Sequence, residues 1–515
     1  MRGRGGGRGA GRHGSLGGSL LTGVAVLAVL LAVSAPAQAL PRDPIQPPDD
    51  LDIPFVAPDG FDWSVPSRFG ARHLGLPDFH WNQATGPLRW GTEADRETYD
   101  PSYVHPDEFP MDFDACATPE DRDAVEAGLP TAGTYEWLVD GTVYAASHTC
   151  ELRHTFAAQG TYDVSLTVRD DGGAVVGSYD RQVYIKDFLI VSIGDSYASG
   201  EGNPDIPQRV GVGGHYFTVL SEARWVDRRC HRSANAASAQ AARTLEAVDR
   251  KTSVTFLSFA CSGATINRES FGAGNPLDPY EPPPNDPGVD PKPKGSGVLG
   301  PYRGPEPPAP DRYDDHLPSQ IDQLKAAVGD RRIDALTISA GGNDIGFGPI
   351  ATVCVLFGDC ANHPVRGVDT NLYRLHVRFE HDRLAMPERY KALNAALNDP
   401  ANGFDIAETF ITEYADPTRD ETGAQCQVML EDVIKPLFWG AVPFHIIGDE
   451  VDFAAGPVLN GLNGAVRSAA DKYGWTFVDG IAEAFDRYGY IDWRQVEGDV
   501  ERMRQRSSRH RRQGT

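Results

Sequence analysis

The chain has no Cys-x-x-Cys pair, no excess of positive charge and no apolar run of membrane-spanning length. The stretch closest to such a run, Leu20 to Val33, holds 14 residues, whereas a helix needs roughly 20 to cross a bilayer. Arg2, Arg4, Arg8 and Arg12 precede it and Ala37-Gln38-Ala39 follows it. Residues 1–39 therefore read as a cleaved secretory signal in preference to a membrane anchor, and a secreted, extracellular protein is expected. The formal net charge is −24, and loss of residues 1–39, with four arginines and no acid, takes it to −28. A surface this acidic repels nucleic acid and anionic lipid, so neither is expected as a partner. Without zinc-type cysteine spacing, no metal is implied. The seven cysteines all follow residue 39, and an exported chain keeps disulfides. Sequence order suggests Cys116–Cys150, Cys230–Cys261 and Cys354–Cys360, with Cys426 left over.

At 515 residues the chain is expected to hold two or three domains. Residues 40–104, rich in proline, aspartate and aromatic residues, read as an irregular lead-in with few strands. From 105 to 187 short alternating runs lie between Asp/Gly turns: Tyr135-Glu136-Trp137-Leu138-Val139, then Gly160 to Val168, then Val183-Tyr184-Ile185. Period-two alternation between such turns predicts a β-sandwich. Phe113-Asp114, Tyr135-Glu136-Trp137, His154-Thr155-Phe156 and Gly160-Thr161-Tyr162-Asp163-Val164 resemble a PKD domain, the immunoglobulin-like module of many secreted proteins. The resemblance implies a spacer or a unit that contacts a cell surface or polysaccharide, and no catalysis.

Strands and helices alternate from residue 188 onward, the pattern of a parallel sheet covered on both faces. Helices are expected at Ser233 to Asp249 with Ser233 as cap, at Ser319 to Val328, at Met386 to Leu397 and at Val458 to Tyr473. Strands are expected at Phe188 to Ile193, Ser253 to Phe259, Ile333 to Ser339, Ile406 to Tyr414 and Trp475 to Val478. Residues 276–310 contain 13 prolines, a density that neither helix nor strand tolerates. They form a loop, either a surface insertion or a lid.

Three small-residue turns follow three of these strands: Gly194-Asp195-Ser196-Tyr197, Ala260-Cys261-Ser262-Gly263 and Gly341-Gly342-Asn343-Asp344. In open α/β sheets the carboxyl ends of strands are where ligands bind. One turn supplies a hydroxyl, one a backbone N–H with no Cβ in the way, and one a carboxamide. That is the inventory for attacking an ester carbonyl and holding the oxyanion that results. Asp195 and Asp344 are read as loop-fixing acceptors of backbone hydrogen bonds.

The stretches GDSYASGEG, CSGAT and GGNDIGF, in this order, resemble the first three blocks of the SGNH (GDSL-type) hydrolases, most of all the actinobacterial secreted lipase and esterase branch. Leu317-Pro318-Ser319-Gln320-Ile321, Tyr414-Ala415-Asp416-Pro417-Thr418 and Gly474 to Gly480 extend the similarity to about Asp492. The resemblance implies an SGNH-type three-layer hydrolase domain over residues 188–493, behind the β-sandwich domain, with a monomer expected. It implies Ser196 as nucleophile of a serine esterase or lipase. The Ser196 N–H, the Gly263 N–H and the Asn343 side chain would form the oxyanion hole, with no cofactor.

One family element is missing. The general base should be a histidine near the carboxyl end in an Asp-x-x-His or His-Pro context, and no Asp-x-x-His occurs among the 14 histidines. Beyond Trp493 the chain becomes a basic tail, residues 494–515, with His510 as its one histidine, and a run of this kind reads as disordered. The candidates for the base are thus His510, His316 after the proline-rich loop, His445 in an apolar stretch and His231 beside Cys230. Ile491 stands where relatives often carry a cysteine after Gly489-Tyr490, which leaves Cys426 without a partner. Two expectations follow. The chain as written hydrolyses esters poorly or not at all, and a disrupted reading frame near Trp493 accounts for the tail. The rival reading is a secreted binding protein with a hydrolase fold and no turnover.

Overall fold

The computed structural model describes residues 60–481, apart from 83–97, 267–296, 300–317, 419–427, 430–444 and stretches of one to five residues elsewhere. The expected signal, the basic tail with His510, His316, Cys426 and nearly all of the proline-rich loop lie outside the described residues. Among the described residues no helix is long and apolar enough to cross a membrane.

The first unit is a sandwich of two antiparallel sheets. A three-stranded sheet joins β1 (Asp62–Ser64), β2 (Phe109–Asp114) and β5 (Glu151–Phe156), with helix α1 (Pro101–Val104) between the first two in sequence. The second sheet has the order β7 (Val175–Ile185), β6 (Gly160–Arg169), β3 (Thr134–Val139), β4 (Thr142–Ser147). Alternation puts Trp137, Val164, Leu166, Phe113 and Met111 inward, all essentially without solvent exposure. Phe61, from the lead-in, packs edge-on against Trp137 with ring centroids 5.2 Å apart. The Cys116–Cys150 disulfide closes one end of this core.

The second unit is a five-stranded, wholly parallel sheet: β8 (Asp187–Gly194), β9 (Ser253–Ser258), β10 (Ala335–Ser339), β11 (Thr409–Thr412) and β12 (Thr476–Val478). In space the order is β9-β8-β10-β11-β12. All residues of β9 and β10 are buried, as expected for strands covered on both faces. Alternate residues serve the two layers. Leu189, Val191 and Ile193 pack with helices α4 (Gln320–Val328), α5 (Phe347–Leu356), α6 (Leu375–Leu397) and α7 (Gly461–Tyr473). Ile190, Val254 and Phe256 pack with helix α3 (Ala237–Val248).

The expected strands Ile333 to Ser339 and Ile406 to Tyr414 are shorter, Ala335–Ser339 and Thr409–Thr412, and the α-helix expected from Val458 starts at Gly461. Two helix starts differ most. Helix α3 starts at Ala237, with Ala236 at its cap, instead of at Ser233. Ser233 is held in the preceding turn, where its hydroxyl donates to the Asn203 carbonyl (2.6 Å) and accepts from the Asn235 N–H (2.9 Å). Helix α6 begins at Leu375, well before Met386, and carries Pro387 inside it. Its buried positions Leu375, Phe379, Asp382, Met386, Arg389, Tyr390, Leu393 and Leu397 recur every three or four residues apart from the adjacent pair Arg389 and Tyr390. Charged neighbours mask that stripe in the sequence.

The lead-in also completes the parallel sheet. Strand β9 is an edge strand, and an edge leaves backbone groups unpaired. The Tyr99 hydroxyl accepts from the Ser258 N–H (2.7 Å) and donates to the Ser258 carbonyl (3.3 Å). Tyr103, on α1, does the same at Phe256 (2.9 and 3.3 Å). Burial pushes the Tyr99 phenol up to about 12 and the Tyr103 phenol higher still, so both remain neutral and keep the proton they donate. At the amino-terminal end of the sheet the buried carboxylate of Asp187 accepts from Arg68 (3.1 Å), Arg331 (2.5 Å), Ser253 (2.6 Å) and Thr255 (2.6 Å).

Candidate active site

In sequence β8 comes first, yet in space it lies between β9 and β10. The chain therefore reverses its winding direction beside β8, and ligands of open α/β sheets bind at such a switch, outside the carboxyl ends of the strands. The turns after β8, β9 and β10 are the three small-residue turns.

The first turn is built around Gly194. Its φ is 137°, and a Cβ there would lie 1.9 Å from the Ser339 carbonyl oxygen of β10, so only glycine lets the two strands run this close. Gln320 brackets the Gly194 peptide group: its side-chain oxygen accepts from the Gly194 N–H and its amide donates to the Gly194 carbonyl, each at 2.7 Å. Gln320 is fully buried and acts as a substitute strand. Ser196 then opens the short helix α2 (Ser196–Ser199), with Asp195 at its cap accepting from the Tyr197 N–H (3.1 Å). The Ser196 carbonyl accepts from the N–H groups of Gly200 and Glu201 and from the Ser199 hydroxyl. Backbone bonds therefore hold the turn, and the serine side chain is half-buried. Among the described residues none hydrogen-bonds its hydroxyl.

The second turn is pinned covalently. Cys261 is disulfide-bonded to Cys230, and the Cys261 N–H donates to the Gly194 carbonyl (3.1 Å). Gly263 has φ of 80°, a left-handed conformation that suits glycine. In the third turn, one N–H of the Asn343 carboxamide donates to the Ala264 carbonyl (2.9 Å), linking the second and third turns. Asp344 accepts from the Ile266 N–H (2.8 Å), and its carbonyl accepts from the buried Arg389 (2.6 Å). The structure thus brings Ser196, Gly263 and Asn343 to one edge of one sheet, and both aspartates accept backbone hydrogen bonds. Cys354–Cys360 is also a disulfide, joining the helix Phe347–Leu356 to the short 3-10 turn Cys360–Asn362.

Two features of this region have no strong signal in the sequence. Tyr414, just beyond β11, places its hydroxyl between the Asp195 carboxyl (2.5 Å) and the Gly342 N–H (2.9 Å). Burial pushes Asp195 up to about 7, although the bonds from Tyr414 and Tyr197 pull the other way, and the charge of Asp344 adds to the rise. The second feature is an imidazole–carboxylate pair. His231 Nδ1 lies 2.8 Å from the nearer Glu201 carboxylate oxygen, and its ring stacks on Trp225 at 4.5 Å with an interplanar angle of 4°. Burial works against the Glu201 charge, but the bonds from His231 and the Ser262 side chain outweigh it, so its pKa falls below the usual range. His231 adjoins the bridged Cys230, and Glu201 lies on the loop of Ser196. Of the histidines considered as base, His231 is the one whose side chain the structure describes. His445 is placed only as backbone, in the two-residue strand His445–Ile446.

A small apolar cavity of about 30 Å³ lies beside the first turn, lined by Tyr197, Phe347, Tyr414, Val458 and Leu462 among others. Among the described residues one grouping, Asp114, Cys116 and Glu151, has the spacing of metal ligands. Its sulfur is committed to the Cys116–Cys150 disulfide, and Asp114 pairs with Arg122 at 2.8 Å.

Residues 116–184 match the PKD domain family. The first sandwich is a PKD-like domain. Its match ends at the strand that leads directly into β8. No curated protein matches the chain in sequence. Among solved structures, an extracellular lipase from Streptomyces rimosus is 18% identical, with a TM-score of 0.30, over 56% of this chain and 79% of that one. A family two carbohydrate esterase from Clostridium thermocellum is 15% identical, with a TM-score of 0.20, over 66% and 73%. The acetyl xylan esterase Est2A from Butyrivibrio proteoclasticus is 13% identical, with a TM-score of 0.21, over 67% and 74%. Likenesses this distant carry no inference about the reaction of this chain. Its own three turns have to do that.

Proposed function

We propose that the chain is an exported serine ester hydrolase of SGNH type, with Ser196 as the nucleophile. The observation that carries this reading is the convergence of the three turns at the switch point, each fixed from below by buried hydrogen bonds. Ser196 Oγ would attack an acyl ester. The Ser196 N–H, the Gly263 N–H and the second N–H of Asn343 would receive the developing oxyanion, each such donor contributing about 10²–10³ in rate. The acyl-enzyme would then be cleared by water. The PKD-like domain would hold the enzyme at a surface or polysaccharide.

A second reading, a binding protein without turnover, is favoured by one observation: no described imidazole touches the Ser196 hydroxyl. Assay of the full chain on p-nitrophenyl butyrate separates the two. Catalysis through the oxyanion hole alone is expected to reach about 10³–10⁴ over the uncatalysed rate. The hydrolase reading expects at least that enhancement, with saturation. Saturable binding of the ester with no rate above background would support the binding protein instead.

A further inference from the structure

We infer that Tyr414 is a positioning residue of this site, a rigid spacer that sets the separation between the nucleophile turn and the Asn343 turn. The inference rests on the hydrolase reading of the site. The ladder between β8 and β10 ends where Gly194 meets Ser339. Beyond that point the register of the strands no longer fixes how far apart the two turns stand. The Asp195 N–H still reaches the Ser339 carbonyl (2.8 Å), but Ser196 and Asn343 lie further out on either side. The phenol spans that gap. Its proton goes to the Asp195 carboxylate, so its lone pair is what the Gly342 N–H can use. One oxygen thereby ties the residue before the nucleophile to the residue before the oxyanion donor.

Tyr414 is itself held firmly. It is 4% exposed. Asn463 of α7 grips its backbone from both sides, accepting from its N–H at 2.8 Å and donating to its carbonyl at 3.0 Å. Its ring meets the Tyr197 ring edge-on, with centroids 5.0 Å apart at 75°. Gly342 is shaped to the phenol as well, since a Cβ there would lie 3.0 Å from the Tyr414 ring. A side chain with two torsions, clamped at its backbone and bonded at its tip, has no slack to transmit. It sets a distance in a site where an error of about 1 Å costs roughly 10²-fold.

Losing the hydroxyl would take a donor from the Asp195 carboxylate and an acceptor from the Gly342 N–H, leaving only the direct contact of those two groups to hold the turns, and their separation would shift. The donors would then fit the tetrahedral species worse while the ground-state ester bound as before. That pattern lowers the chemical step and spares binding. A purely structural role would instead reduce the amount of folded protein and leave the reactivity of each folded site unchanged.

The test is inactivation of the full chain by an organophosphonate ester, whose adduct places a tetrahedral phosphorus where the attacked carbon would be and its phosphoryl oxygen where the oxyanion would be. The limiting rate and the half-saturating concentration are measured separately for wild type, Tyr414→Phe and Gly342→Ala. The alanine variant presses on the phenol without removing its hydroxyl, and it serves if the phenylalanine variant does not fold. The expectation is a limiting rate reduced about 10²-fold in Tyr414→Phe, a smaller reduction in Gly342→Ala, and half-saturation within twofold of wild type in both. Wild-type limiting rates in the folded variants, with adduct on Ser196, would overturn the role of Tyr414 and leave the hydrolase reading standing. Absence of any adduct on wild type would overturn the hydrolase reading and this inference with it.

Discussion

Ser196→Ala is expected to cut hydrolysis of short acyl esters to no more than the rate the oxyanion hole alone supplies, and to leave the fold unchanged. The two halves of this expectation have separate causes. The acyl-enzyme route fails because the turn offers its one nucleophilic hydroxyl at the position where the oxyanion donors converge, and alanine has nothing to put there. The fold persists because the Ser196 carbonyl, and not its hydroxyl, accepts the bonds from Ser199, Gly200 and Glu201 that close the turn. Its hydroxyl is hydrogen-bonded by none of the described residues, so removing it orphans no described partner. Stability should change by no more than about 0.5 kcal/mol, as for substitutions that break no buried feature. The measurement is initial rate on p-nitrophenyl butyrate beside a urea unfolding curve. A variant as active as wild type would remove Ser196 from the mechanism.

Asp187→Ala should have the largest effect on stability. Its side chain has no exposure, and the two guanidinium groups it faces, Arg68 and Arg331, are 18% and 11% exposed. The Ser253 and Thr255 hydroxyls complete its shell. Alanine leaves both cations in place without their counter-charge, and removing one partner of a buried ion pair typically costs about 3–5 kcal/mol. Asp187→Asn retains one acceptor oxygen and the shape but loses the charge, so it should fall between wild type and alanine. Urea midpoints at constant m-value test the order. A loss below about 1 kcal/mol in Asp187→Ala would mean that the arginines find other partners. Arg68 belongs to the lead-in, so the same substitution is expected to loosen residues 60–68 from the parallel sheet and expose them to protease.

The sequence was most legible where one physical cause acts alone. Strands β8, β9 and β10 are covered on both faces and read as continuous apolar runs. The turns after them are rich in small residues because backbones approach closely there, as at Gly194. The sandwich core around Trp137 was legible by alternation for the same reason. Legibility fails where polar or charged side chains are buried. Helix α6 carries Asp382 and Arg389 on its inner face, so its first half looks like a solvent-exposed segment, and only the stretch from Met386 shows an apolar stripe. Gln320 and Tyr414 lie at a helix entry and past a strand end, and neither position says that the side chain will reach back to Gly194 or to Asp195. The pairing of Glu201 with His231 joins residues 30 apart in sequence. Tyr99 and Tyr103 stand among prolines and aspartates that suggest irregular chain. Their function, closing the edge of β9, depends on a strand about 150 residues further on.

The most direct measurement for the central claim is peptide mapping of the full chain after reaction with an organophosphonate serine probe, without any assumed substrate. If the turn after β8 presents an activated nucleophile backed by an oxyanion hole, one adduct per chain should appear. It should lie on Ser196, and it should be absent from the Ser196→Ala variant. Folded protein that gives no adduct, or gives it equally at other serines such as Ser199 and Ser262, would contradict the assignment of this site as a serine hydrolase centre.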